Sequence, residues 1–375
     1  MSDAINIISF DVPFPANYGG VIDVYYKLVW LKKAGIKIHL HCFTYGRAAA
    51  KELEALCEKV YYYPRKTGIS SFLSSLPYNV KSRQSAELEK NLLSNDFPIL
   101  FEVLHTCYLL NDERFKERKK IYRHSNIEHE YYLELSKSER NIFKKFYLKT
   151  ETNKLKNFEK IIHFADVILA VNENDANYFE QKYPKVKTFY LPSFHPNETV
   201  NLKSGRGDYI LYHGNLSISE NYEATHWLIE NVFSKIKFPV IIAGLKPPSF
   251  LVEKIKKYSN IKLVDSPAEH EMEQLIQEAQ IHVLYTAQPT GLKLKLINVL
   301  FKGRFIICNS NMIAGTGLKA NSGFSITNTA NDFIQQINSI FEKEFSLQNK
   351  QEREEQTLNF DNAENCKKLI SAINF

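Results

Sequence analysis

The stretch QPTGLKLKLINVLFKGRF, residues 288–305, holds a loop ending in Gly291, an amphipathic segment over 292–303 and the start of a following β-rich run. It places Lys293 and Lys295 in the first turn of the expected helix. A helix N-terminus already carries partial positive charge from its unpaired N–H groups, so lysines there cost free energy unless an anion accompanies them. At about 100° per residue, Lys295, Asn298 and Lys302 fall on one polar stripe, while Lys293 falls within the apolar arc of Leu296, Ile297 and Leu300. Two readings of Lys293 stand side by side. It snorkels past the helix end into solvent, or Gly291, the free N–H groups and Lys293 or Lys295 form an anion site suited to phosphate.

Outward from this helix, short β-rich runs alternate with helical stretches, which predicts an α/β architecture with mostly parallel sheets. The first half offers INIISF (5–10), KIHLHCF (37–43), VYYY (60–63), ILFEVLH (99–105), KIYRHS (120–125), VILAV (167–171) and TFYLP (188–192). A helix over 21–34 ends at Gly35. The pattern dissolves in PSFHPNETVNLKSGRGD (192–208), which reads as an interdomain linker. A second series follows: YILYHG (209–214), a helix over 221–235, VIIAG (240–244), KLVD (262–265), a helix over 268–279, IHVLY (281–285), the lysine-led helix and FIICN (305–309). The expected division is a domain over 1–195, a linker over 196–207 and a second domain over 208–358. A C-terminal helix follows within 359–375, opened by the capping-box-like Asp361-Asn-Ala-Glu364 and expected to pack back on the first domain. The polar stretch 346–357 reads as a connector. Two Rossmann-like halves in tandem would place a ligand cleft between the C-terminal strand ends of both sheets.

The 375 residues exceed one average core and suit two domains. A hydrophobic content of 44% and a charged content of 24% are those of a soluble globular protein. No apolar run approaches the roughly 20 residues of a spanning helix, and MSDAINIISFDVPFP lacks a basic n-region, so a cytoplasmic location is expected. Cys42, Cys57, Cys107, Cys308 and Cys366 lack paired spacing, which argues for reduced thiols and against disulfides or a zinc site. The net charge of +6 is mild but uneven. Basic residues crowd into KSERNIFKKFYLKTETNKLKNFEK (137–160), interleaved with Phe143, Phe146, Tyr147 and Phe158. Such a segment is either a solvated helix with one face in the core or a surface that lies on anionic lipid or nucleic acid.

A strand, a Gly-containing loop, a helix of the form LxxxLxxG and a following strand, here 281–309, resemble the donor site of GT-B-fold glycosyltransferases. The chain resembles a divergent branch of their bacterial family four (group 1). The resemblance implies an α/β GT-B fold, two Rossmann-like domains facing across a cleft, with a nucleotide diphosphate on the helix N-terminus. It also implies a nucleotide-sugar as co-substrate and no metal or other cofactor. In family four the loop and helix read Glu-x7-Glu; the equivalent positions here are Thr290 and Asn298, and HGNLSISENYEA (213–224) stands where an Arg and Lys pair is usual. On this resemblance the phosphate-binding cations have moved to Lys293 and Lys295, helped by Lys246, with Thr290, Gly291, Gly214 and Asn215 completing the donor site. Lys293 would stabilise the leaving diphosphate.

In FPANYGG (14–20), Gly19 and Gly20 let backbone N–H groups approach a ligand. FEVLHTCY (101–108) and YRHSNIEHEYY (122–132) resemble the acceptor-side segments of these enzymes. There His105 matches the family histidine that contacts the donor sugar, Glu128 is a candidate acceptor-side base, and Tyr18, Arg123, His124 and Asn126 would meet the acceptor. Structural readings compete at each place: a satisfied histidine at a strand end for His105, a Glu–Arg pair for Glu128, and turn or capping roles for Asn215 and Glu220. Asp23 reads as a first-helix charge only. Glu220 or Asn221 is also placed to touch a ribose. The implied function is transfer of a sugar from a nucleotide-sugar to a saccharide, lipid-linked or protein-linked glycan in bacterial surface glycan biosynthesis. The inner face of the cell membrane is a candidate docking surface, and no nucleic acid partner is expected. A non-catalytic partner subunit and a nucleotide-sugar epimerase are the alternatives.

Overall fold

The computed structural model describes residues 3–139 and 141–374; Arg140 of the basic aromatic stretch lies outside them. The chain forms two compact units, the first from residues 3–136, 141–196 and 360–374, the second centred on 197–359. In the first, β1 (Ala4–Ser9), β2 (Lys37–Thr44), β3 (Lys59–Pro64), β4 (Ile99–Glu102), β5 (Lys120–Arg123), β6 (Val167–Ala170) and β7 (Lys187–Tyr190) form one sheet in the order β3-β2-β1-β4-β5-β6-β7. Every pair is parallel. Alternate residues enter opposite cores, as the period of two requires: Ile7 and Leu100 join Leu40 and Leu169 on one face, while Ile8 and Phe101 join Phe43 and Ile168 on the other. Burial on both faces is why these strands read as continuous apolar runs.

The second unit repeats the scheme with β8 (Ile210–Gly214), β9 (Val240–Gly244), β10 (Ile261–Asp265), β11 (Ile281–Leu284), β12 (Phe305–Cys308) and β13 (Phe324–Ile326). They too are parallel, in the order β10-β9-β8-β11-β12-β13. Strand β13, three residues after the turn at Asn321–Gly323, escapes periodicity and exists through its pairing with β12. The expected connector at 346–357 is instead the helix Leu347–Thr357, opened by a Ser346–Asn349 capping box. Its buried Arg353 donates to the carbonyls of Gly303 (3.0 Å), Arg304 (3.0 Å) and Gly323 (3.2 Å), satisfying groups at the C-terminus of the lysine-led helix. The helix Asn362–Asn374 lies in the first unit: Cys366, Leu369 and Ile373 share a core with Leu28 and Leu31 of the helix Gly19–Lys33. All five cysteines are buried and unbridged. Among the described residues no helix is long and apolar enough to cross a membrane.

Arg123 is a correction to the sequence reading. It is wholly buried at the end of β5 and bound within the first unit, not offered to an acceptor. Its Nε and Nη2 donate to Asp23 at 3.1 and 3.3 Å, and its Nη1 and Nη2 to the carbonyls of Leu191 (2.6 Å) and Pro192 (3.1 Å). Asp23, read from sequence as a plain helix charge, also accepts from the Phe194 N–H at 2.7 Å and from Lys27 at 3.5 Å; Lys27 in turn reaches Glu102 at 2.6 Å. Burial alone would raise the Asp23 pKa, but Arg123 and Lys27 hold it below the usual carboxylate range. Burial pushes Glu102 up against the pull of Lys27. Asp23→Asn leaves two buried cations sharing one carboxylate and is expected to cost about 3–5 kcal/mol in urea unfolding. A loss below 1 kcal/mol, the surface-pair range, would show that the network carries little of the fold.

Candidate functional site

Both sheets change direction at their first strand, between β1 and β4 and between β8 and β11. In open parallel sheets, ligands bind beyond the carboxyl ends of the strands at such a switch point. In the second unit, Gly214 and Gly244 end paired strands and abut: a Cβ on Gly244 would lie 1.9 Å from the Gly214 carbonyl oxygen. After β11, Gly291 takes φ 69°, turning the chain into Lys293.

The helix Leu294–Lys302 begins one residue past Lys293, which is its N-cap with extended backbone, so Lys293 leaves the apolar arc that the helical projection gave it. Its Nζ turns back to the Thr290 carbonyl at 2.8 Å. Lys295 stands in the first turn; its Nζ donates to Asn221 Oδ1 at 3.1 Å and lies 5.3 Å from the centre of the Tyr212 ring. The helix has neither a side-chain cap nor an acidic first turn. The counter-charge comes from Glu220, whose Oε1 lies 3.6 Å from Lys293 Nζ and accepts a hydrogen bond from Thr286 Oγ1. Thr286 and Asn309 are locked by reciprocal bonds of 3.2 and 2.7 Å. The anion that the sequence demands is therefore partly internal: one carboxylate faces two ammonium groups and a helix N-terminus.

Burial pushes the partly buried Lys295 down to about 8, with Glu220 opposing and Lys293 adding to the shift. Burial holds His213 neutral, down to about 3, and Lys295 adds to that. Thr290 Oγ1, Gln288 Oε1 and His213 Nδ1 are buried polar atoms without a hydrogen-bond partner. Other predicted positions have local tasks. Asn215 Oδ1 holds a turn by accepting from Ser217 N (3.1 Å) and Oγ (2.7 Å), Asn298 Oδ1 accepts from Asn197 at 3.2 Å, and Lys246 sits exposed after β9, outside the Lys293–Glu220–Lys295 cluster.

In the first unit, Tyr18 is the N-cap of the helix Gly19–Lys33, of which Gly19 and Gly20 are the first residues. The Tyr18 hydroxyl donates to Asp11 at 2.9 Å, and the Arg47 guanidinium lies 5.4 Å from its ring centre. The expected strand over 99–105 stops at Glu102, because Val103 takes φ 59° and the chain continues as the 3-10 helix Leu104–Leu109. A left-handed conformation is strained for a β-branched residue. It places His105 in that helix and not at a strand end, with Nε2 3.5 Å from Glu128 Oε2. Burial lowers the His105 pKa well below its usual range and pushes Glu128 up to about 8. At neutral pH the pair is a neutral imidazole beside a protonated carboxyl, so Glu128 becomes a base only above about 8.

His124 is a second correction. It is wholly buried, 3.4 Å from Asp175 and edge-on to Phe179, so it is a core residue and not an acceptor contact. Asn126 lies half-buried on the loop before the helix Glu128–Ser138. Sequence reasoning missed Arg65 and Arg83, whose charges both bear on His105. Nothing local distinguishes them in the chain.

No family model matches the chain. An uncharacterized 44.6 kDa protein in the cps region of Klebsiella pneumoniae is 26% identical over 357 residues, covering 89% of each chain. Anabaena HepE, solved with UDP and glucose, superposes with a TM-score of 0.66 at 11% identity over 99% of both chains. A mutant of S. aureus TarM, solved with UDP, fondaparinux and α-GlcNAc-glycerol, gives 0.68 at 10% identity over 99% of this chain and 100% of TarM. The trehalose 6-phosphate synthase of Burkholderia multivorans gives 0.58 at 10% identity over 100% and 98%. The chain has the GT-B fold of bacterial glycosyltransferases, as its resemblance implied.

Lys295 gives a pH signature. Its folded value near 8 lies below the ordinary 10.5, so between these values the unfolded chain holds more protons and stability rises with pH. Below 8 the buried charge costs roughly 3 kcal/mol. Lys295→Met keeps the stem without the charge; it is expected to raise the melting temperature at pH 7 and to abolish the rise between pH 8 and 10. A lower melting temperature at pH 7 would mean that Asn221 and Glu220 more than compensate the buried ammonium.

Proposed function

We propose that this chain is a glycosyltransferase that uses a nucleotide-sugar, with the donor diphosphate seated on the N-terminus of the helix Leu294–Lys302. The observation that carries this reading is the gathering of Lys293 and Lys295 at a helix N-terminus that has neither a side-chain cap nor an acidic first turn, at a switch point, beside unpartnered polar atoms. Gly291 and Gly214 give the phosphates room. As the bond from sugar to diphosphate breaks, the growing negative charge meets N–H groups and ammoniums already in place. That task then requires no divalent metal. UDP in the HepE and TarM structures makes a UDP-sugar the first donor class to test. In the first unit, His105 and Glu128 are the pair we assign to the reacting hydroxyl, with Tyr18 and Asn126 beside it. The acceptor is a saccharide, lipid-linked or protein-linked glycan, and the cps-region relative suits a surface glycan.

The same reading gives the basic aromatic segment a task. Ile142, Phe143 and Phe146 are 76, 84 and 75% exposed at the start of the helix Ile142–Phe158. Tyr147 of that helix stacks on Phe72 at 5.6 Å, which brings the exposed Ile69 and Leu73 alongside. Lys144, Lys145 and Lys149 flank this patch. An apolar patch edged by lysines fits the surface of an anionic bilayer. We assign it to the inner face of the cell membrane, which makes the enzyme cytoplasmic and peripheral.

Two experiments test these readings. A thermal-shift screen of UDP, GDP, CMP and dTDP with their sugars is expected to find one nucleotide that stabilises the wild type but not Lys293→Ala. Equal stabilisation of both proteins would remove the donor site from this helix, and binding without turnover of any nucleotide-sugar would favour the non-catalytic partner. Replacing Phe143 and Phe146 by Glu is expected to weaken binding to phosphatidylglycerol vesicles about tenfold or more. Unchanged co-sedimentation would end the docking assignment.

A further inference from the structure

The first unit carries a second cationic cluster, built from Arg65 after β3 and Arg83 after the short helix Tyr78–Lys81. Arg83 is 4% exposed, yet its Nε and Nη1 donate only to the carbonyls of Phe10 (2.9 Å) and Asn79 (2.7 Å). Arg65 donates to Ser82 Oγ at 3.3 and 3.0 Å and to Asn79 Oδ1 at 3.0 Å. Asn79 therefore joins the two guanidiniums, one through its backbone and one through its side chain, and its Nδ2 is fixed on the Tyr132 hydroxyl at 2.7 Å. The rings of Tyr45 and Tyr78 flank Arg65 at 4.8 and 5.9 Å, and Tyr45 is 60% exposed.

Every one of these hydrogen-bond partners is neutral. Burial and the neighbouring Arg65 lower the Arg83 pKa to about 9, against a smaller opposing pull from Asp11. The nearby Asp11 attracts Arg83 through space while its hydrogen bonds come from the Tyr18 hydroxyl (2.9 Å) and the Val12 N–H (2.9 Å), and Glu128 is protonated below about 8. The contrast with other buried arginines is direct. Arg123 has Asp23, and Arg353 engages carbonyls through both terminal nitrogens. Among the described residues Arg83 leaves its Nη2 outside such bonds. Phe10, Tyr45, Arg65 and His105 follow β1, β2, β3 and β4, so the arginines lie at the carboxyl ends beside the catalytic pair.

We propose that Arg65 and Arg83 bind a phosphate group of the acceptor, so that the acceptor is a phosphorylated saccharide, with Tyr45 offering a ring face to its sugar. Two forked guanidiniums match the several oxygens of a phosphate ester or diphosphate better than a neutral hydroxyl. The word acceptor rests on the glycosyltransferase reading above; the phosphate site does not.

The test measures the affinity of glucose 1-phosphate, glucuronate and glucose under saturating UDP, which occupies the donor lysines, for the wild type, Arg65→Gln and Arg83→Lys. Glucose 1-phosphate is expected to bind the wild type, at least about tenfold more weakly to Arg65→Gln and with an intermediate loss to Arg83→Lys. The stabilisation by UDP itself reports that each variant is folded. Equal binding of glucose and glucose 1-phosphate, or undiminished binding to Arg65→Gln, would overturn the site. Binding of glucuronate in preference to glucose 1-phosphate would overturn the phosphate in favour of a sugar carboxylate. Should UDP fail to stabilise the wild type, the donor reading falls by itself. The same ligands measured on the Lys293→Ala, Lys295→Met double variant without UDP then still decide the arginine pair.

Discussion

The first unit hangs on the carboxylate of Asp23. It accepts from Arg123 of β5, from Lys27 one turn along its own helix, and from the Phe194 N–H in the segment that follows β7. Lys27 carries the network on to Glu102, the last residue of β4 and the neighbour of the strained Val103. One buried network thus sets the helix Gly19–Lys33 against the sheet and fixes the point at which β4 turns away. Taking four charged groups out of water is costly, and only mutual pairing with filled hydrogen bonds offsets it. The return is positional: Tyr18 at the head of the helix and His105 past Val103 are set by groups that no ligand touches.

The second unit arranges charge in the opposite sense. Glu220 is held by Thr286, and Thr286 by Asn309, so the carboxylate is placed independently of the lysine it faces. It gives Lys293 and Lys295 a facing negative charge at a helix N-terminus. Strong compensation would leave nothing for a diphosphate to gain, whereas none would oppose folding. Burial, with Lys293 adding to it, depresses the Lys295 pKa, and an anion arriving beside the ammonium would oppose that shift.

What the sequence could show follows the reach of each interaction. Strands buried on both faces were legible as apolar runs, and the lysine-led helix was legible because the conflict between lysine and an N-terminus is local. Arg123 and His124, in the dense polar run at 123–129, were misread because a polar residue's partner is invisible in sequence. Arg123 finds Asp23 a hundred positions away and His124 finds Asp175 across the core, so a group of buried structural residues looked like a ligand-facing cluster. Glu220 was undervalued for the same reason, as its lysine lies in another element. The turn at Val103 is a tertiary effect with no trace in ILFEVLH, and the polar helix Leu347–Thr357 is anchored by Arg353 on carbonyls that only the fold brings near.

Charge left over after internal pairing separates the structural polar groups from the candidate functional ones. Buried neutral groups are a poor guide: His124 and His282 have ring nitrogens without a hydrogen-bond partner, and burial, aided by neighbouring arginines, keeps both uncharged. A buried cation has no such escape, because an arginine stays protonated and a lysine yields only part of its pKa. Arg123 is accounted for by the carboxylate of Asp23, and Arg353 by the carbonyls it closes at a helix end, although none of them carries a charge. Lys293 with Lys295, and Arg65 with Arg83, differ in gathering two cations in one place. Each pair lies past the carboxyl ends of parallel strands, one pair in each sheet, Arg83 through its bond to the Phe10 carbonyl after β1. Under the readings proposed above each pair receives one anion, the donor diphosphate at the lysines and an acceptor phosphate at the arginines, and two cations held close together gain more from that anion than either would alone.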